Sequence, residues 1–182
     1  DPLNATFNAT GLSAGTYTGN INIAFGGTSA ALPVSLEVFD LGLTKMVPDP
    51  SRPWVYALHP GTTASPSSYI LFINTATRQI ENVIEAGTGA TDLAVHAQEG
   101  RLYVTNWQST SIQVIDLETR TLLPPIPSGR DVYKLSAGRS GRIYSEGMDQ
   151  WVPGAIINSA TGAEITTGIS FREGDGELDP TG

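Results

Sequence analysis

The chain has 182 residues, with 18 acidic and 10 basic side chains and no cysteine. Its formal net charge of −8 does not attract nucleic acid or anionic membranes, so we exclude nucleic acid as a partner. The lack of cysteine excludes disulfides, thiolate metal sites and a cysteine nucleophile in this sequence. No apolar run is long enough to span a bilayer, and we therefore expect no membrane insertion.

Residues 1–40 alternate apolar and polar side chains between glycine turns, which predicts three antiparallel strands. The first strand is expected over residues 3–8, and Gly26-Gly27 is expected to form a turn further along. The side chains predicted to share apolar faces are Tyr17, Ile21, Ile23, Leu32, Val34 and Leu36. Three strands cannot close a sandwich, so we expect these faces to be covered by further polypeptide of the same parent protein or by neighbouring subunits.

The segment Gly11-Leu12-Ser13-Ala14-Gly15-Thr16-Tyr17-Thr18-Gly19 resembles the later strands of bacterial immunoglobulin-like modules of the BACON kind. The resemblance covers only the second part of such a module. It implies that residues 1–40 are the C-terminal strands of a partial immunoglobulin-like sandwich.

From residue 41 onward the sequence repeats. The turn segments beginning at Asn74, Asp116 and Asn158 are spaced by 42 residues, and each follows an apolar run. A short strand containing Tyr56, Tyr103 or Tyr144 precedes each run. This period is typical of a propeller blade of four short strands. In the middle repeat we expect these strands at residues 93–97, 101–106, 111–116 and 121–126. The innermost strands of the flanking repeats are expected at residues 43–47 and 132–135.

The third strands are apolar at nearly every position, as in Ile70-Leu71-Phe72-Ile73. Both faces of such a strand must be covered, and packing between neighbouring blades would cover them. No segment shows a sustained 3.6-residue period, so an α/β alternative fails.

Tyr103-Val104-Thr105-Asn106, followed by Ile112-Gln113-Val114-Ile115-Asp116 and Thr119, resembles the YVTN family of β-propeller repeats. The match is specific in the middle repeat, whereas the others keep only the tyrosine. The resemblance implies a bacterial or archaeal protein that is secreted or at the cell surface, and some relatives with this fold are lactonases or carry cofactors. The repeat itself implies no activity.

The expected fold is therefore all-β, with a partial immunoglobulin-like sandwich at residues 1–40 and a partial propeller at 41–182. Blades are expected at about 42–89, 90–130 and 131–172, and a fourth starts at 173–182. Because a propeller needs at least four blades to close, we expect this one to be incomplete at both ends. The rest of a seven-bladed propeller would come from the same parent protein or from neighbouring subunits.

Loops at one rim of the propeller hold the candidate ligand-binding residues. In a propeller, the loop between the second and third strands and the loop leading into the next blade open on the same face. The candidates are Asn106, Trp107, Trp151, Arg130, Asp131, His59 and Asp92. Exposed tryptophans beside charged groups suit a glycan or peptide ligand, because the ring offers flat apolar contact and the polar groups fix orientation. The alternative is that each tryptophan fills the gap between neighbouring blades.

A flexible acidic loop is the candidate metal site. Asp175, Glu177 and Asp179 alternate with other residues near the end of the sequence, and calcium favours oxygen-rich loops of this kind. Their spacing does not fit an EF-hand, and a solvated acidic loop is the alternative interpretation. We expect no other cofactor.

Catalysis has little support in the sequence. The chain has two histidines, His59 and His96, and no Gly-x-Ser-x-Gly elbow. We therefore expect no catalytic residue and a non-catalytic binding or assembly module of a large secreted or cell-surface protein. The alternative is a fragment of a propeller enzyme, lactonase-like or cofactor-bearing, whose active residues lie in other blades.

Overall fold

The computed structural model describes most of the chain. The described residues are 8–9, 11–13, 15–38, 42–63, 66–107, 109–138, 141–147 and 153–166. They belong to two compact units, residues 1–41 and 42–182. In the described part of both units, no helix has the length and apolar character required to cross a membrane.

The first unit contains an antiparallel hairpin of two long strands, β1 (Gly15–Phe25) and β2 (Thr28–Val38). Gly26 and Gly27 connect the strands with φ angles of 59° and 84°. Two consecutive positive φ angles are typical of the tight turn whose twist suits a hairpin, and glycine adopts them without strain. The turn prediction is confirmed. The predicted first strand falls largely on residues outside the described ones.

One face of this hairpin is apolar. Tyr17 lies opposite Leu36 and Ile21 lies opposite Leu32, so the alternating residues of both strands reach the same side. Leu32 is 53% exposed and Tyr17 is 38% exposed. The sandwich predicted for this region goes beyond the two strands that the structure describes.

The described part of the second unit forms three four-stranded antiparallel sheets, in which consecutive strands are neighbours. We call them blades one, two and three. Blade one consists of β3 (Lys45–Pro48), β4 (Trp54–His59), β5 (Ser67–Asn74) and β6 (Ile80–Thr88). Blade two consists of β7 (Ala90–His96), β8 (Arg101–Asn106), β9 (Ser111–Asp116) and β10 (Thr121–Pro127). Blade three consists of β11 (Lys134–Ala137), β12 (Arg142–Glu146), β13 (Ala155–Asn158) and β14 (Glu164–Thr166).

The strands of the middle repeat agree with the prediction except at the innermost one. That strand begins at Ala90 instead of Leu93, because its ladder with β8 continues through small and polar residues that give no apolar signal. The innermost strand of blade three begins at Lys134, not at Val132. Val132 is buried in the core but precedes the ladder, so its apolar character marks burial and not strand pairing.

Blade two buries side chains on both of its faces. Leu102 and Val104 pack with blade one, whereas Tyr103 and Ile112 pack with blade three. Successive side chains of a strand point to opposite faces, so every apolar residue of β8 has a neighbouring blade to contact. The expectation that neighbouring blades cover both faces of a third strand is confirmed for β9, because Ile115 packs with blade one and Val114 packs with blade three.

The repeated turn after each third strand is built by its first residue. Oδ1 of Asn74, Asp116 and Asn158 each accepts hydrogen bonds from the backbone N–H groups two and three residues later, at 2.8–3.2 Å. Such side-chain bonds to the following backbone favour a turn over continued extension. The 42-residue period in the sequence is therefore the period of this turn.

The turn at Asp116 should make stability depend on acid pH. The Thr119 backbone N–H, together with Arg101 and the Glu118 N–H, lowers the pKa of Asp116 to about 2, although burial opposes this change. The unfolded carboxyl titrates near 3.8, so the ionised form stabilises the folded chain above about pH 4. We expect this contribution to be lost as the pH falls from about 4 to about 2.

Two variants test this expectation in urea unfolding at several pH values. Asp116→Ala should lower the free energy of unfolding by about 1 kcal/mol at neutral pH, because it removes the turn acceptor. Asp116→Asn keeps an acceptor, as in the turns of blades one and three, and should flatten the acid dependence. An unchanged acid dependence in Asp116→Asn would assign the effect to other carboxyl groups.

Candidate functional site

On β8, the second strand of blade two, each residue of the Tyr-Val-Thr-Asn segment contacts a neighbouring blade. The Tyr103 hydroxyl donates to Glu99 Oε2 at 2.8 Å, and Glu99 also accepts from Ser159 Oγ of blade three. Burial and the bond to Glu99 raise the pKa of Tyr103 above its usual range. Val104 is fully buried in the core between blades one and two. The first two residues of the motif therefore serve packing.

Asn106, at the end of the motif, joins blade two to blade one. Its Nδ2 donates to the carbonyl oxygens of Ala86 at 2.7 Å and Thr88 at 3.1 Å, both on β6. The side chain is buried, and its Oδ1 has no hydrogen-bond partner within the described residues. Asn106 was predicted as a ligand-binding residue, but the structure uses its amide to hold two blades together.

Removing this amide should destabilise the chain. Asn106→Ala leaves two backbone carbonyls without a donor, and we expect a loss of about 1–3 kcal/mol in the free energy of unfolding. Asn106→Asp should cost more at neutral pH, because it sets a buried carboxylate against two carbonyl oxygens. The loss of unfolding free energy in Asn106→Asp should become smaller as the pH is lowered, because the carboxyl group then becomes protonated. Urea unfolding at several pH values measures the free energy of unfolding of both variants. A loss in Asn106→Asp that does not depend on pH would contradict this geometry.

Thr105 joins blade two to blade three. Its Oγ1 donates to the backbone carbonyl of Tyr133 at 3.2 Å, and Thr91 Oγ1 donates to the same carbonyl at 2.9 Å. Tyr133 is the residue immediately before β11. The two threonines therefore fix the path of the chain as it enters blade three.

An aromatic pair lies beside this junction, on the loops that follow β8 and precede β11. The Trp107 ring meets the Tyr133 ring edge to face, with centroids 6.3 Å apart and an interplanar angle of 80°. Trp107 is 48% exposed. We call Trp107 and Tyr133 the rim pair. Trp107 thus neither fills a gap completely nor projects freely, since one edge packs and much of the ring faces solvent.

The position of Trp107 is fixed by its backbone. Its N–H donates to the Gly89 carbonyl at 2.7 Å. Gly89 has a φ of 67°, and a Cβ at this position would approach Trp107 Cβ to 3.3 Å. Glycine therefore suits both the conformation and the close approach. Because the backbone sets the loop, the indole ring is not required to hold it.

Arg130 points into blade three. Its guanidinium forms an ion pair with Glu164 and donates to the carbonyl oxygen of Pro153. Asp131 is exposed, and within the described residues it makes no ion pair or hydrogen bond. Both residues lie on the predicted loop, but only Asp131 offers its charged group to solvent.

The loop placement predicted for Asp92 is wrong. Asp92 lies inside β7, because the ladder with β8 extends beyond the apolar residues. Its carboxylate pairs with Lys45 of blade one and accepts the Leu135 N–H of blade three at 2.8 Å. The side chain is buried and connects the innermost strands of three blades.

The positions of these charges in the register are equivalent. Lys45, Asp92 and Lys134 lie opposite the fifth residue of the second strand in blades one, two and three, respectively. Lys134 faces Glu146 across its own strand pair. Charge therefore alternates from lysine to aspartate to lysine at one repeated position.

Both histidines are buried at strand ends. His59 ends β4, and its Nδ1 accepts the Gly61 N–H at 3.1 Å. His96 ends β7, and its Nδ1 accepts the Glu99 N–H at 3.2 Å. Each imidazole therefore stabilises the turn that follows its strand. His59 was predicted as a rim residue, and burial limits its contact with a ligand.

Four predicted site residues lie outside the described residues: Trp151 and the acidic residues Asp175, Glu177 and Asp179. Among the described residues, no three histidine, aspartate or glutamate side chains are grouped to hold a metal ion. Ligand binding by Trp151 and calcium binding by the acidic loop stay predictions.

Sequence reasoning missed Tyr133 as a partner of Trp107. The only signal is an aromatic residue within the innermost strand expected at 132–135, and nothing local relates it to a tryptophan 26 positions earlier. It also missed Arg120, whose guanidinium lies 4.4 Å from the centre of the Trp54 ring. That contact joins blades one and two at the opposite ends of their strands.

No protein-family model and no curated protein matches the chain. Solved structures do. The WD40 repeats of RRP9 align with a TM-score of 0.57 at 17% identity, over 71% of this chain and 39% of that one. The Swd1 β-propeller domain of Myceliophteria thermophila aligns with a TM-score of 0.52 at 10% identity, over 68% and 38%. The described part of the second unit has a β-propeller fold.

A third similar structure is hydrazine synthase of Kuenenia stuttgartiensis, with a TM-score of 0.52 at 14% identity, over 71% of this chain and 38% of that one. This chain spans about two fifths of the length of these proteins. The likeness includes a protein named as an enzyme and proteins named only by their repeats or domain. The fold therefore does not decide the function of this chain.

Proposed function

We propose that the second unit is a non-catalytic recognition module that binds a protein partner at the rim pair. The observation that carries this proposal is the half-exposed Trp107 ring, braced by Tyr133 on loops that the backbone already fixes. A rigid aromatic side chain loses little conformational entropy on binding and offers a large contact area. The fold itself is neutral, because the chain shares it with WD40 repeats and with an enzyme.

A protein ligand suits this rim better than a glycan. A glycan site needs several free polar groups to match sugar hydroxyls. Asn106 and Arg130, which would have supplied them, use their polar groups inside the protein, and Asp92 is buried. Among the rim residues that the structure describes, the rim pair offers a ligand apolar contact and Asp131 offers an exposed carboxylate.

Binding arrays test the proposal. Labelled full chain is applied to peptide and glycan arrays, beside Trp107→Ala and Leu122→Ala. Leu122 is a matched control because it is also 48% exposed but lies on the outermost strand of blade two. We expect peptide spots that the parent chain binds to be lost in Trp107→Ala and kept in Leu122→Ala. Equal patterns for all three proteins would refute binding at the rim pair.

We also propose a propeller type for the second unit, a fold for the first unit and a cellular location for the protein. The role of every residue of Tyr103-Val104-Thr105-Asn106 in joining blades supports placing the repeat among YVTN-type propellers. The apolar face of the β1–β2 hairpin supports a sandwich of the immunoglobulin-like kind in the first unit. With these resemblances we propose a secreted or cell-surface location, which fractionation of the source cells would test.

A further inference from the structure

The charges at the rim end of the blades are largely matched. Arg130 pairs with Glu164, and Lys45 pairs with Asp92. Lys134 lies directly opposite Glu146 in the β11–β12 ladder, where side chains are neighbours. Each cation at this end of the described strands therefore has a carboxylate beside it.

Asp131 is a carboxylate of the loop before β11. It is exposed, and within the described residues it has no ion pair or hydrogen bond. It precedes Tyr133 by two residues, so their Cα atoms are within about 7 Å of one another. Tyr133 in turn contacts Trp107. An exposed carboxylate thus lies two residues from the tyrosine that contacts the half-exposed indole ring.

This combination selects the sign of the ligand. A cation over the face of a tryptophan is attracted by the ring, and a nearby carboxylate adds Coulomb attraction. An anionic ligand would meet repulsion from Asp131 and from the net charge of −8. We infer that the rim pair and Asp131 bind a lysine or arginine side chain of a basic peptide segment. This inference rests on the proposed function and specifies its partner.

Matched peptides test the inference by fluorescence anisotropy with the full chain. A labelled Gly-Ser peptide carries a central pair of lysines, of norleucines, which keep the length but remove the charge, or of glutamates. We expect affinity to fall in the order lysine, norleucine, glutamate, and the lysine peptide to weaken as salt is raised.

Variants separate the ring from the charge. Trp107→Leu keeps an apolar side chain and should lower the affinity for the lysine peptide about fivefold, whereas Trp107→Phe should lower this affinity less. Asp131→Asn should lower the affinity for the lysine peptide about threefold and leave the affinity for the norleucine peptide unchanged. Leu122→Ala should bind as the parent chain does.

The outcomes distinguish the two proposals. Equal binding of lysine and norleucine peptides, or no effect of Asp131→Asn, would overturn the inference about charge. If Trp107→Ala still abolished binding of both peptides, the recognition role would stand. If the chain bound only a glycan, and Trp107→Ala lost that binding, the inference of a basic peptide ligand would be overturned, whereas the rim pair would remain the binding site. Binding that no Trp107 variant changes would overturn both.

Discussion

Phe72→Ala should lower the free energy of unfolding by about 3–5 kcal/mol. Phe72 is fully buried on the third strand of blade one, where its ring meets Tyr56 edge to face at 5.0 Å and Trp54 at 6.4 Å. Those aromatic residues belong to the core that joins blades one and two. The truncation therefore leaves a cavity at an interface between blades.

Urea unfolding monitored by circular dichroism and by tryptophan fluorescence measures this loss. Phe72→Leu refills most of the space and should cost much less. Leu122→Ala, at an exposed site, should stay within about 0.5 kcal/mol of the parent chain. The two optical signals should change together, because the blades share a core. A small loss in Phe72→Ala would show that the blades do not depend on this packing.

Asp92→Ala is the second substitution with a large expected effect, about 2–4 kcal/mol of unfolding free energy. The buried carboxylate pairs with Lys45 and accepts the Leu135 N–H at 2.8 Å. Alanine leaves that buried N–H without an acceptor and removes the partner of Lys45. Two contacts between blades are lost at once.

Asp92→Asn separates these two contacts, because its amide oxygen still accepts the Leu135 N–H. We expect it to recover more than half of the loss, since Lys45 is partly exposed and its ion pair contributes little. A double-mutant cycle with Lys45→Met measures the coupling between the two charged groups. If the coupling free energy from this cycle were close to the full loss of unfolding free energy in Asp92→Ala, the effect would belong to the ion pair instead.

The repeated turn could be predicted from sequence because it is local. Asn74, Asp116 and Asn158 each bond to their own next residues, so the period in the sequence is also the period in space. The strands of the middle repeat could be predicted for a similar reason, since period-two alternation follows from the geometry of a single strand. Both signals lie within a few residues of chain.

The rim could be predicted only in outline. The sequence marks Asn106, Arg130 and Asp92 as polar residues, but their partners lie in other parts of the chain, at separations of about 20 to 47 positions. A free polar group and a paired one look the same in one sequence. The residues just before Asp92 show no apolar alternation, so the sequence predicts a loop at this position. Tyr133 was missed because pairing with Trp107 depends on how two blades meet.

The lysine, aspartate and lysine at one repeated position limit how the blades can be rearranged. Asp92 accepts from the blade on either side, and neither Lys45 nor Lys134 could supply those acceptor oxygens in its place. A gene duplication that replaced blade two with a copy of blade three would set a lysine against Lys45. The three repeats share the same turn but are not interchangeable, and a copy of blade three in the place of blade two would destabilise the chain at this position.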